Sequence, residues 1–123
     1  MTLLNDKIAI VTGASSGIGR AAAKLFAREG ARLVVNGRRQ DALDALVSEI
    51  ESEGGKAIAV AGDVREEALQ VRLVETALSR FGGLDVAFNN AGALGEMGPV
   101  TGLSLDGWRE TIETNLTAAF LGA

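Results

Sequence analysis

The chain has 123 residues, 47% of them apolar, and a net charge of −4, which predicts one soluble globular domain with a real core. The acidic balance argues against nucleic acid as the main partner, because phosphate backbones select basic surfaces. Cysteine, histidine and tyrosine are absent, which excludes disulfides, a histidine metal site and a Ser–His–Asp triad within this chain. No membrane-length apolar run or signal-peptide layout is present, so we expect a cytoplasmic protein without membrane attachment.

The first predicted elements are a strand, a glycine-rich turn and a helix. An apolar run at residues 7–11 precedes the turn TGASSGIG at residues 12–19, and an alanine-rich helical segment follows at residues 20–27. Glycines allow positive φ and bring backbone N–H groups close to a bound anion, and a helix N-terminus adds unpaired donors. These features predict a phosphate-binding turn, and a tight strand–helix turn without a ligand is the alternative.

The following segments alternate between strand and helix. Strands are predicted at residues 32–37, 56–61 and 84–89, and helices at residues 41–53 and 66–81. The second of these helices is expected to bury an apolar stripe consisting of Val71, Val74, Leu78 and Phe81. The alternation predicts an α/β fold of the Rossmann type, a doubly wound parallel sheet with strand order 3-2-1-4.

The strand order places two turns on one crevice. In a doubly wound sheet the order reverses between the first and fourth strands, and ligands bind there, outside the carboxyl ends. The turn at residues 12–19 and the run NNAG at residues 89–92 follow those two strands. We therefore expect them to face each other across the binding crevice.

The remaining residues predict a loop and a last helix. Residues 92–108 are rich in glycine and contain Pro99, the only proline of the chain, which is typical of a surface loop. The helix that follows carries Asn115 beside an apolar stripe that includes Trp108 and Leu116. That stripe is interpreted as core or as an oligomer interface.

Four motifs in order along the chain carry a resemblance to a known family. They are the Gly-x-x-x-Gly-x-Gly pattern in residues 13–19, Asp63-Val64, the NNAG run at residues 89–92, and Asn115. Together they resemble the classical short-chain dehydrogenase/reductase family over essentially the whole chain. The resemblance implies an NAD(P)-dependent oxidoreductase that transfers hydride between nicotinamide and a ketone or secondary alcohol. It also implies a small-molecule substrate and a homo-oligomer, either a dimer or a tetramer.

The resemblance also assigns roles to individual residues of the cofactor site. In the turn, these residues are Gly13, Ser15, Ser16, Gly17, Ile18 and Gly19, with the serines and the isoleucine lining the pyrophosphate and nicotinamide side. The strand-end residues that pack beside the cofactor ribose are Asn90, Ala91 and Gly92.

Two further assignments from the resemblance have simpler alternatives. Asp63, with Val64, matches the pair that holds the adenine, the carboxylate accepting a hydrogen bond from the exocyclic amine. By itself Asp63 also fits a helix N-cap or a solvated loop carboxylate. Asn115 matches the helix asparagine of the catalytic tetrad, which helps to position a water and the catalytic lysine. By itself it also fits an ordinary, partly buried polar residue.

The end of the second strand bears on the choice of cofactor. A carboxylate there binds both ribose hydroxyls and repels a 2′-phosphate, but this chain has Gly37 followed by Arg38 and Arg39. Arginine offers planar, charge-assisted hydrogen bonds worth about 1.5–3 kcal/mol. We therefore predict NADP(H) in preference to NAD(H), although Ser16 stands where many NADP-preferring relatives have a basic residue. The alternative is that both arginines belong to a solvated helix start.

The catalytic residues of the family are incomplete in this sequence. The family's reaction uses a tyrosine and a lysine spaced Tyr-x-x-x-Lys, and the chain contains no tyrosine. We therefore interpret residues 1–123 as the incomplete N-terminal, dinucleotide-binding Rossmann domain of a longer enzyme, inactive by itself and with its fourth strand an open apolar edge. One alternative is a non-catalytic dinucleotide-binding module or regulatory remnant. Another is a methyltransferase-like nucleotide binder, which the NNAG run disfavours.

Overall fold

Four parallel strands form the centre of the part of the chain that the structure describes. The computed structural model describes residues 4–90, and its strands are β1 (Ile8–Val11), β2 (Arg32–Gly37), β3 (Lys56–Ala61) and β4 (Val86–Phe88). They pair in parallel in the order β3-β2-β1-β4. The predicted fold class and strand order are confirmed.

Three helices connect the strands. They are α1 (Gly17–Arg28), α2 (Gln40–Ser52) and α3 (Glu67–Thr76), the last continuing as a π-helical turn over Ala77–Phe81. Gly82 ends this turn with φ 88°, in the left-handed region, where its N–H donates to the carbonyls of Ala77 and Leu78. Glycine suits such a helix end because it has no β-carbon to clash.

The core lies on both faces of the sheet. On one face, Ala9 and Val11 of β1 pack with Leu43 and Leu46 of α2, and Ala23 of α1 joins this cluster. On the other face, the core cluster consists of Ile8, Ile10, Val34, Val64, Leu69, Leu73 and Ala77. Successive strand residues point to opposite faces, so each buried strand contributes apolar side chains to both clusters, as expected of a doubly wound sheet.

The buried face of α3 differs from the prediction. Val71, Val74 and Leu78 are 49%, 41% and 53% exposed, whereas Leu69 and Leu73, with Ala77 of the π-helical turn, are buried against the sheet. Both rows have helical spacing, so periodicity alone does not select between them. Contact with the sheet selects between them, since Leu69 and Leu73 lie in one buried cluster with Val34 of β2. Phe81 was predicted correctly, since it packs partly buried against this cluster.

The fourth strand, β4, lies close to the last of the described residues. β4 is shorter than predicted and forms one edge of the described sheet, and the loop and last helix predicted after residue 92 lie outside the described residues. Asp85 joins the start of β4 to β1, since its carboxylate accepts from the N–H of Ile8 at 3.0 Å. Within residues 4–90, no helix has both the length and the apolar character that a membrane span requires.

Candidate functional site

The turn between β1 and α1, residues 12–19, is named the glycine turn here. Gly13 and Gly17 have φ of 65° and 57°, in the region that favours glycine. Gly19 is buried, and a β-carbon at that position would overlap the backbone carbonyl of Gly13. The chain therefore presents bare backbone where α1 begins.

Backbone hydrogen bonds tie the glycine turn to the ends of β2 and β4. The N–H of Ala14 donates to the carbonyl of Asn36 at 2.8 Å, and that of Thr12 donates to Phe88 at 3.1 Å. The N–H of Asn90 donates to Thr12 Oγ1, also at 3.1 Å. A β-carbon on Gly19 would lie 2.7 Å from Asn90 Nδ2. The glycine turn and Asn90 are thus in contact at the carboxyl ends of β1 and β4, as strand order predicted.

The start of α1 has the electrostatic character of an anion site. Ser16 is the N-cap residue, but its side chain makes no capping hydrogen bond, and no acidic residue lies in the first turn. The positive end of the helix dipole and the first backbone N–H groups are therefore not compensated by a local carboxylate. Ile18 is 73% exposed beside them, and this places an apolar side chain next to the polar donors.

A second group of functional candidates lies at the ends of β2 and β3. Asp63 accepts from Arg65 through Nη2 at 2.6 Å and through Nε at 3.0 Å to both carboxylate oxygens. The N–H of Arg65 donates to Oδ1 at 2.9 Å, and Arg38 Nη2 donates to Oδ2 at 3.3 Å. We call Arg38, Asp63 and Arg65 the arginine cluster.

The arginine cluster lowers the pKa of its carboxyl group. Hydrogen bonds from the Arg65 side chain lower the pKa of Asp63 from 3.8 to about 2, with further lowering from the Arg65 N–H and from the charges of both arginines. Partial burial acts in the opposite direction. Asp63 is an anion at neutral pH, and both of its carboxylate oxygens accept hydrogen bonds from arginine.

Two residues of this region were missed by the sequence analysis. Arg65 follows Asp63 by two positions, the spacing at which an aspartate side chain folds back on the local backbone. Asn36 is 1% exposed, and its Nδ2 donates to the carbonyls of Val60 and Gly62 at 2.8 and 3.3 Å. Its Oδ1 is buried without a partner among residues 4–90. The available signal was a single amide within the otherwise apolar run of β2.

The other predicted site residues do not form one group. Ser15 lies against Gly37, where an added β-carbon would be 3.0 Å from its side chain. Arg39 is exposed and is the N-cap residue of α2. Val64 is buried in the core below the arginine cluster, so its side chain is part of the packing of that loop. Ala91, Gly92 and Asn115 lie outside the described residues.

Comparisons with known proteins identify the class to which this fold and crevice belong. The chain matches the family described as short chain dehydrogenase over residues 7–123, and it belongs to that family. It is 45% identical to a cyclohexanol dehydrogenase of Acinetobacter sp. (strain SE19), over 94% of this chain and 46% of that protein. It is 43% identical to glucose 1-dehydrogenase 2 of Bacillus subtilis (strain 168), over 98% and 47% of the two chains.

A solved structure shows the same fold. A mutant form of a short-chain dehydrogenase/reductase of Serratia marcescens superposes with a TM-score of 0.91 at 35% identity, covering 97% of this chain and 49% of that one. The chain spans about half the length of the curated relatives it matches. The predicted membership of the short-chain dehydrogenase/reductase family is confirmed.

Proposed function

We propose that this chain is the dinucleotide-binding domain, within residues 1–123, of an oxidoreductase that acts on a small ketone or secondary alcohol. The observation that carries the proposal is the bare glycine turn at the start of α1, where Gly19 leaves no room for a β-carbon. A nicotinamide dinucleotide, when bound, supplies or accepts the hydride in such an enzyme. The names of the two relatives describe dehydrogenases of cyclohexanol and glucose, which supports an alcohol or carbonyl compound as the substrate class.

The residues of the crevice fit a pyrophosphate. Helix N-termini with free N–H groups bind phosphate, and here the first turn of α1 carries no competing carboxylate. We assign the pyrophosphate to the backbone of Gly13, Gly17 and Gly19, with the hydroxyls of Ser15 and Ser16 beside it. Ile18, exposed at the same end of α1, is assigned to the apolar contact on the nicotinamide side.

The ribose and adenine side is assigned to the strand ends that follow. Asn90 is proposed to pack beside a cofactor ribose because its N–H is held by Thr12 at the base of the glycine turn. Ala91 and Gly92 are proposed for the same contact from their place in the sequence. Asp63 and Val64 are proposed for the adenine, Val64 through the backbone of the loop that its buried side chain anchors.

The proposed cofactor is NADP(H) rather than NAD(H). The end of β2 has Gly37 where a carboxylate would repel a 2′-phosphate, and Arg38, whose side chain is 54% exposed, stands next to it. Arg39, which is exposed, is a further cation after the carboxyl end of β2. Arginine binds a phosphomonoester through planar, charge-assisted hydrogen bonds.

The hydride-transfer step is proposed for the whole enzyme and not for residues 1–123 acting alone. Asn115 is the proposed catalytic contribution of this sequence, in the positioning role that the family gives it. The chain contains no tyrosine and no histidine, so no side chain in it supplies the phenolic or imidazole acid–base group of such reactions. We therefore expect cofactor binding without turnover, and, from family membership, a cytoplasmic homo-oligomer.

The test is a titration of the purified 123-residue protein with NADPH, NADH and S-adenosylmethionine, followed by cofactor fluorescence and calorimetry. We expect saturable 1:1 binding of NADPH, weaker binding of NADH and no competition by S-adenosylmethionine. A protein that is folded by circular dichroism but binds neither dinucleotide would overturn the proposal. Tighter binding of NADH than of NADPH would overturn only the cofactor preference.

A further inference from the structure

The two arginines of the arginine cluster hold Asp63 in different ways. Arg65 contacts both carboxylate oxygens with its side chain and Oδ1 with its backbone N–H, at 2.6–3.0 Å. Arg38 makes one contact of 3.3 Å to Oδ2 from a more exposed side chain, 54% against 28% for Arg65. Arg65 is therefore the more strongly bound partner of the carboxylate. The contact between Arg38 and Asp63 can be broken at a small cost in free energy.

The three side chains of the arginine cluster carry two positive charges and one negative charge. Two guanidinium groups share a single carboxylate, so the cluster has a net positive charge at neutral pH. That charge lies at the carboxyl ends of β2 and β3, beside Gly37. An anion bound here gains from Arg38 only if Asp63 keeps a partner after Arg38 turns away, because an unpaired carboxylate next to a phosphate is repulsive.

We propose that Arg65 is a specificity-determining residue for the 2′-phosphate of the adenosine half of the cofactor, because it holds Asp63 and so releases Arg38 to bind the phosphomonoester. The inference rests on the proposed function and goes beyond it, since that function assigns no role to Arg65. Arg65 acts through Asp63 and need not contact the phosphate itself.

The experiment measures two adenosine nucleotides that differ only in the 2′-phosphate. Adenosine 2′,5′-bisphosphate and adenosine 5′-monophosphate are titrated calorimetrically into the wild-type protein and into Arg65→Ala, Arg65→Lys and Arg38→Ala. The readout is the ratio of the two dissociation constants. A variant that merely loosens the fold weakens both nucleotides and leaves the ratio unchanged, whereas loss of 2′-phosphate recognition changes the ratio.

We expect Arg65→Ala to lower the preference for the bisphosphate by about tenfold, with a smaller loss in Arg65→Lys, which keeps the charge but not the planar two-oxygen contact. In an Asp63→Asn background, removing Arg65 is expected to change the ratio less than about twofold, because the charge that it neutralises is gone. The matched control is Arg80→Ala, the same charge change beside the start of β3, where Arg80 lines a cavity with Lys56 and Ile58. It should leave the ratio at the wild-type value.

The failures are distinguishable. If Arg38→Ala abolishes the preference and Arg65→Ala keeps it, the inference about Arg65 is wrong and the cofactor proposal stands. If the wild-type protein binds both nucleotides equally, the preference for NADP(H) and the inference fall together. If the folded wild-type protein binds neither nucleotide, the proposed function itself is overturned.

Discussion

The glycine turn and the arginine cluster both lie at the carboxyl ends of the strands, but the first is formed by the backbone and the second by charged side chains. In the glycine turn, positive φ at Gly13 and Gly17 and the absence of space at Gly19 shape the backbone itself. In the arginine cluster, three partly exposed side chains are held by ion pairs and hydrogen bonds. Steric constraints of the first kind tolerate almost no substitution, whereas charges of the second kind are adjustable and are screened by salt. In the proposed function, the first region binds the pyrophosphate that all nicotinamide dinucleotides share, and the second distinguishes NADP(H) from NAD(H).

The largest effect is expected at the glycine turn. Gly19→Ala places a β-carbon on the backbone carbonyl of Gly13, so the turn must move and its N–H groups lose their common direction. We expect dinucleotide binding to weaken by about a hundredfold or more, equivalent to about 3 kcal/mol, as measured by calorimetric titration.

The control for that variant is Gly83→Ala. Among residues 4–90, an added β-carbon there meets only the Ile8 side chain at 3.6 Å, an ordinary contact, so binding should stay within about twofold of wild type. Wild-type affinity in Gly19→Ala would show that the glycine turn does not shape the binding site.

The next effect is expected at the arginine cluster, in Arg38→Asp. A carboxylate at this position repels a 2′-phosphate and accepts from ribose hydroxyls, so the ratio of NADP(H) to NAD(H) affinity should fall by about ten- to a hundredfold. Arg80→Asp, remote from this edge, supplies the same charge change as a control. Equal discrimination in wild type and Arg38→Asp would contradict the proposed cofactor preference.

Asn36 links the two regions, because its backbone carbonyl accepts from Ala14 of the glycine turn and its side-chain amide donates to the carbonyls of Val60 in β3 and of Gly62, next to Asp63. Asn36→Leu removes both side-chain bonds and leaves the carbonyls of Val60 and Gly62 without that donor. We expect the free energy of unfolding to fall by about 1–3 kcal/mol in urea titrations.

The matched comparison for Asn36 is Asn89→Leu, at an exposed position after β4, where a change below about 0.5 kcal/mol is expected. Equal stability of the two variants would show that the Asn36 amide contributes nothing to the link.

The smallest expected effect is on the pH dependence of stability. The pKa of Asp63 is lowered from 3.8 to about 2, foremost by the Arg65 side chain. A lowered pKa stabilises the fold above the unfolded value, and that contribution is lost as the pH falls from about 4 to about 2. Relative to Asp63→Asn, the wild type should therefore lose about 1–2 kcal/mol of stability between about pH 5 and pH 2.

Thermal or urea unfolding at several pH values measures this difference, and Arg65→Ala should flatten the same pH dependence. A parallel course of wild type and Asp63→Asn over the whole range would show that the ion pairs contribute no stability.

Much of the fold could be predicted because strands and glycines carry local signals. β2 and β3 have the predicted bounds, Arg32–Gly37 and Lys56–Ala61, since short apolar runs bounded by glycine and turn residues predict buried strands. Alternation predicts a doubly wound parallel sheet, and the order 3-2-1-4 is the Rossmann form of that fold. The prediction of the buried face of α3 was wrong because two apolar rows share the helical period. Only contact with the sheet distinguishes Leu73 from Val74.

The sequence by itself determined the sheet, the glycine turn and the presence of arginine at the end of β2, because each rests on the conformational preference or charge of neighbouring residues. The tertiary structure alone decided that Arg38 and Arg65 share Asp63, and that Asn36 fastens β2 to the end of β3 and to Gly62 after it. These contacts join residues from different strand ends, and their pairing depends on distances that only the folded sheet sets. The backbone part of the candidate site could thus be predicted from the sequence, whereas the pairing of its charged side chains could not.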